Sequence, residues 1–218
     1  IGNEAFEKCS SLMEITFSEN SKLNEIGYRA FEDCISLTNF KIPENVKEIK
    51  YNTFSNCSKL YTVKIPGVTK IGSNAFSGCT KLKHTDGTIG YDTFVIPPSV
   101  TIIENGAFYN CSNLKSVIIS KKIKVIKKQT FKGCTYLEEI TIPEGLTEIE
   151  EEAFSGCKSL NKITTNGLDN KSTPGFPKSV KNIGKYAFWG TIELKEITTN
   201  ANVENLIERS EERRVGKE

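Results

Sequence analysis

The seven cysteines and the single histidine are the side chains of this sequence best suited to covalent or metal chemistry. The cysteines stand at positions 9, 34, 57, 79, 111, 134 and 157, and His84 follows Cys79 by five residues. Thiols in this number could pair as disulfides. They could bind a metal as thiolates, or Cys79 could act as a nucleophile with His84 as its base. The spacing argues against each of these. No two cysteines approach the C-x-x-C separation of a zinc site. Most gaps are close to 23 residues, so each cysteine recurs at one phase of a repeat. Stacked repeats would then place the cysteines in a single column with roughly parallel Cβ vectors, which is poor geometry for an S–S bond. We favour a column of free thiols packed as small buried hydrophobes, with disulfides or a metal site as the alternatives. Cys79 then belongs to the core, whereas His84 lies at an irregular stretch. No G-x-S-x-G, P-loop or dinucleotide fingerprint is present. The expectation is a chain that is not an enzyme and uses no cofactor, metal or small-molecule substrate.

The elements that would position these residues follow from the repeat. Phe recurs at 6, 31, 54, 76, 108, 131, 154 and 188, a 23-residue period with two long exceptions. Cys follows each of the first seven by three residues, and Leu follows three later, from Leu12 to Leu194; Thr191 stands where an eighth Cys would be. The fullest coil runs Val46, Ile49, Phe54, Cys57, Leu60, Val63, Ile65, with steps near three. That is neither the strand period of 2 nor the helix period of 3.6; it suits a chain winding around a narrow core. Only the Leu60-x-x-Val63-x-Ile65 part alternates as a strand does, and stacked copies should form a parallel sheet with ~4.8 Å between rungs. Equivalent rungs are expected at 15–17, 40–42, 117–119, 140–142, 163–165 and 197–199. Pro43, Pro66 and Pro143 end their rungs for want of an amide donor. The Ala-Phe-x-x-Cys segments read as helical turns on the opposite side, with Gly27, Gly72 and Gly184 supplying a sharp change of direction before them.

The pattern Ile-Pro-x-x-Val-x-x-Ile-x-x-x-Ala-Phe-x-x-Cys-x-x-Leu-x-x-Ile resembles the BspA-like, Treponema pallidum-type class of leucine-rich repeats. The resemblance covers residues 1–208 in about eight coils. It implies a right-handed, curved solenoid with one parallel sheet and short helical or 3-10 turns opposite. It also implies a secreted or cell-surface setting and a role in adhesion to macromolecules.

Surface positions are the remaining candidates for function. Between the rung's two apolar positions lie Thr16, Lys41, Lys64, Ile118, Thr141, Thr164 and Thr198; two residues before each come Glu14, Asn39, Thr62, Ser116, Glu139, Lys162 and Glu196. Thr suits any exposed strand, yet extended solenoid faces are common binding platforms. We expect Lys41, Tyr61, Lys64, Ile118, Glu139 and Thr141 to contribute to such a platform. Two insertions, 83–99 and 166–179, are expected to leave the stack at the same phase, with Tyr91, Phe94 and Phe176 as loop anchors for a ligand. The run Lys121–Lys128 holds five lysines and offers a polyanion site as an alternative. Because Ile123 and Ile126 fill inward slots, those lysines also read simply as a solvated edge that discourages aggregation.

Composition bounds the rest. Of 218 residues, 29 are Lys or Arg and 27 Asp or Glu, which gives no charge bias toward nucleic acid. Hydrophobic content is 37%, and no apolar run approaches the ~18 residues of a membrane span. The chain opens in mid-coil and begins a ninth coil at Val203, so both ends are expected to be cut. Residues 209–218 (RSEERRVGKE) match, codon for codon, a common sequencing adapter and are expected to carry no function. The expectation is a monomeric binding or adhesion module that recognises a protein or glycoprotein, with a purely structural spacer as the alternative.

Overall fold

The computed structural model describes residues 1–83, 92–166 and 172–198, together with the backbone of 205–206. His84, Tyr91, the stretches 84–91 and 167–171, and the adapter-like segment 209–218 lie outside the described residues.

The chain forms a solenoid whose inward columns are those set by the repeat. Phe31, Phe54, Phe76, Phe108, Phe131 and Phe154 are all buried, as are Cys34 through Cys157 and Leu37 through Leu160 in their columns. Successive Phe rings stack face to face along the axis, with centroids 5.2–5.6 Å apart and interplanar angles of 2–15°. No coil could bury these rings alone, so the stacking of neighbours supplies the core.

Two rows of short parallel strands run along the stack. The rung row contains β1 (Asn39–Lys41), β3 (Thr62–Lys64), β5 (Thr93–Val95), β7 (Ser116–Ile118), β9 (Glu139–Pro143) and β11 (Lys162–Asn166). A second row, at the V-x-x-I step, contains β2 (Glu48–Ile49), β4 (Lys70–Ile71), β6 (Ile102–Ile103), β8 (Val125–Ile126), β10 (Glu148–Ile149), β13 (Asn182–Ile183) and β14 (Asn205–Leu206). One sheet was expected; the second row arises because each V-x-x-I step also runs straight for two residues. Each row divides into two sheets, at different coils. The rungs form β1-β3 and β12-β11-β9-β7-β5, where β12 is Ser172–Pro174; the second row forms β2-β4-β6 and β14-β13-β10-β8. The rungs expected at 15–17 and 197–199 are not strands over their described residues.

The side opposite the rungs departs from expectation: no helix occurs among the described residues. Around each Phe, the residue two before and the residue two after adopt positive φ, as at Asn52 (54°) and Asn56 (60°) about Phe54. That geometry breaks a helix and turns three alternate amides along the stack. Asn52, Phe54 and Asn56 donate to the carbonyls of Ser73, Ala75 and Ser77 in the next coil at 3.1, 2.9 and 2.7 Å. The same triplet recurs at every step from Glu4-Phe6-Lys8 to Glu152-Phe154-Gly156, so this ladder is continuous where the two strand rows are not. Glycines 72 and 184 are needed for closeness and not for direction. A Cβ there would sit 2.7 Å from the Ile49 carbonyl oxygen and 2.5 Å from the Glu151 amide.

Candidate ligand-binding face

The rung row positions most of the candidate side chains, because alternate strand residues point to opposite faces. Phe40 and Val63 point inward, so Lys41 and Lys64 point outward, and the two lysines are register partners on β1 and β3. Both are exposed. Beside them, Asn39 pairs in register with Thr62. The segment Glu14–Lys22 of the first coil borders these rungs and encloses with them a cleft of about 730 Å³, whose lining includes Lys41, Lys64, Asn39, Thr62 and Glu44.

Tyr61 stands at the start of its rung, 39% exposed, with the Lys83 ammonium 5.8 Å from its ring centroid. Lys83 also meets Asp92 at 3.1 Å, and Lys115 meets the other oxygen of Asp92 at 3.2 Å. Hydrogen bonds from these two lysines hold the Asp92 carboxyl below its ordinary range.

Ile118, Glu139 and Thr141 come together on the other rung sheet. Glu139 bridges to Lys162 at 2.8 Å. Thr141 is buried, against the expectation of an outward contact residue. It lies in register between Ile118 and Thr164 and shares a 3.0 Å hydroxyl–hydroxyl bond with Thr164. The expected platform is therefore two groups of residues on two sheets.

The insertions need a larger correction. Phe94 and Phe176 are buried in the core and cannot serve as loop anchors. Phe94 pairs with Val117 as the inward residue of β5, so residues 93–96 belong to a regular coil. Lys83 and Asp92 fill equivalent places at the start of the rung: the Lys83 amide donates to Tyr61 as Tyr61 does to Thr38, and Asp92 accepts from Ser116 as Lys115 does from Glu139. Phe176 donates to the Thr198 carbonyl at 3.0 Å, as Ile119 does to Thr141 at 2.9 Å, which puts it in the slot that closes the rung. The second excursion folds back as β12, antiparallel to β11. One insertion thus leaves from the start of the rung and the other from its end, not from one shared phase. The match of Phe94-Val95-Ile96-Pro97 to Val63-Lys64-Ile65-Pro66 is the sequence signal that carries this register.

The cysteine column is core. Cys34, Cys57, Cys79, Cys111, Cys134 and Cys157 are free and buried. Each thiol donates to the carbonyl of the preceding coil's Phe at 3.0–3.2 Å, a bond that spacing alone did not reveal. Burial pushes Cys34 up to about 11 and Cys157 up to about 12. Among the described residues no group of three His, Cys, Asp or Glu side chains is arranged to hold a metal. In the lysine run, Lys127 pairs with Glu104 at 2.6 Å and Lys128 with Glu151 at 2.8 Å, so at least these two charges are already matched. No helix among the described residues is long and apolar enough to cross a membrane.

Comparison with known proteins agrees with this architecture. Six copies of the BspA type leucine rich repeat region match residues 1–89 and 168–210, more than half of the chain. A leucine-rich repeat protein from Bacteroides ovatus superposes with a TM-score of 0.72 at 29% identity, over 96% of this chain and 46% of that one. The T. pallidum leucine-rich repeat protein gives 0.67 at 24% identity, over 82% of this chain and 78% of its own. No curated protein matches. The chain thus spans less than half of the B. ovatus protein. With its Phe, Cys and Leu columns stacked coil on coil, the chain belongs to the BspA-type leucine-rich repeat family.

Proposed function

We propose that this solenoid is a non-catalytic binding or adhesion module of a secreted or cell-surface protein, and that it recognises a protein or glycoprotein through the outward rung residues around Lys41, Tyr61 and Lys64. The observation that carries this reading is the division of labour in the coil. The thiols that could do chemistry are buried in the core, while the rungs present an ordered, polar row of side chains beside an open cleft. Extended faces of stacked repeats suit large partners, because each coil adds a contact without altering the others.

The test is adhesion of the displayed chain to glycoprotein-coated surfaces, before and after replacing Lys41, Tyr61 and Lys64 together with alanine. Retention should fall about tenfold while the urea midpoint stays in place, since exposed substitutions of this kind change stability by roughly 0.5 kcal/mol or less. Undiminished retention discards the rung face, and no retention by the parent chain favours a spacer.

A further inference from the structure

The cleft beside β1 and β3 carries a charge arrangement that specifies its ligand more closely. Lys41 and Lys64 face each other in register, and like charges directly opposite one another destabilise a sheet. Among the described residues neither forms an ion pair, whereas Lys83 and Lys115 share Asp92, and Lys162 meets Glu139. The facing lysines of the cleft are thus left without the carboxylate partner that these three have. The other lining groups limit what can enter. Glu14 and Glu44 also line the cleft and would repel a ligand densely charged along its length, such as nucleic acid or a polyacidic peptide. The same carboxylates accept hydrogen bonds well from hydroxyl groups, and Asn39 and Thr62 can both donate and accept.

We infer, on the binding-module reading above, that this cleft binds an acidic oligosaccharide, with a carboxylate or sulfate seated between Lys41 and Lys64 and neighbouring sugar hydroxyls on the glutamates, Asn39 and Thr62. Isolated anionic groups separated by hydroxyls match a basic floor with acidic flanks; a uniform polyanion does not.

Three probes test this with the full chain: a short hyaluronan-type oligosaccharide, with one carboxylate per two sugars, a sparsely sulfated keratan-type oligosaccharide of equal length for the sulfate, and a neutral malto-oligosaccharide. Calorimetric titration should show binding of at least one acidic probe, none of the neutral one, and weakening as salt rises. Lys41→Gln with Lys64→Gln should lower that affinity about tenfold. Lys41→Arg with Lys64→Arg should retain most of it, and Lys122→Gln with Lys124→Gln should leave it unchanged. Binding lost on the Lys122 and Lys124 substitutions instead would place the anion on the lysine-run edge and overturn the inference. Failure of both acidic probes, with glycoprotein adhesion still abolished by the Lys41, Tyr61 and Lys64 replacements, overturns the acidic-saccharide assignment but leaves the binding module standing. Adhesion that survives those replacements removes both.

Discussion

The buried thiols make the fold sensitive to alkali, by an amount that can be worked out. An unfolded cysteine ionises near pH ~8.5, whereas burial holds Cys34 up to about 11 and Cys157 up to about 12, with Cys57, Cys79, Cys111 and Cys134 also well raised. Below the unfolded value both states keep the proton and stability is unaffected. Above it the unfolded chain loses protons that the folded chain retains, so stability falls until the folded value is passed. Between ~pH 7.5 and ~pH 9.5 each buried thiol should remove on the order of 1 kcal/mol. For the six buried thiols the total is several kcal/mol, a large part of the ~5–15 kcal/mol that stabilises a typical domain. Lysine and tyrosine titrate mainly above this window.

Urea unfolding followed by circular dichroism, with reductant present, measures the effect across the same window. The midpoint should drop steeply between ~pH 8.5 and ~pH 9.5. Replacing Cys111 and Cys134 with alanine should reduce the drop by about a third, although that variant starts lower because each replacement opens a small cavity. In parallel, a chromogenic disulfide reagent should modify exposed Cys9 quickly in the native protein and the buried thiols only after unfolding. A midpoint indifferent to pH, or an identical pH slope in the double variant, would refute the linkage.

Two further expectations rest on packing and register. Phe108 stacks on Phe76 and Phe131 at 5.4 Å each and meets Phe94 edge-on at 5.3 Å; Phe108→Ala should cost about 3–5 kcal/mol in urea unfolding, and Phe188→Ala, at a half-buried position, distinctly less. Deleting residues 84–92 joins Lys83 directly to Thr93 and restores an uninterrupted coil, because Lys83 and Asp92 fill equivalent places in the ladder. Thermal stability should hold within about 1 kcal/mol, and a collapse would show the register to be wrong.

The inward columns were legible in the sequence because burial selects residue type: Phe, Cys and Leu recur at one phase, and from Phe31 to Leu160 they pack inward. The turn side was only partly legible. From Phe31 on, its positive-φ positions two residues before each Phe hold Arg29, Asn52, Asn74, Gly106, Gln129, Glu152 and Tyr186, a column no residue type marks. Those two residues after hold Asp33, Asn56, Gly78, Asn110, Gly133, Gly156 and Gly190, the types that tolerate positive φ. A non-glycine residue there pays roughly 1–2 kcal/mol; the compensation is an amide bonded to the next coil, a contact at long separation in sequence. Ala-Phe-x-x-Cys consequently resembles a helical turn until the neighbouring coil is present. The rung face was half legible. Alternation correctly turned Lys41 and Lys64 outward, but whether an outward threonine is exposed depends on the flanking rungs, and Thr141 is shut in by Ile118 and Thr164. The insertions misled for a related reason: Phe94 and Phe176 look like loop aromatics unless the chain is first aligned to the rung slots they fill.

The cysteine column shows why the repeat tolerates so few side chains at one position. The Phe6 carbonyl accepts both the Cys9 amide of its own coil at 3.1 Å and the Cys34 thiol of the next coil at 3.0 Å. Alanine would fit that space but would forfeit the thiol's hydrogen bond, while valine or leucine would lack a donor and overfill the slot. Thr191, in the eighth coil, supplies a hydroxyl but turns it to Phe188 in its own coil at 2.8 Å. The donor is therefore kept while the link between coils is not. A small, weakly polar donor is what this position needs, and the thiol provides it with little desolvation cost. The feature of the sequence that most resembles reactive chemistry is thus occupied in joining coils, while Lys41 and Lys64 on β1 and β3 point away from the core.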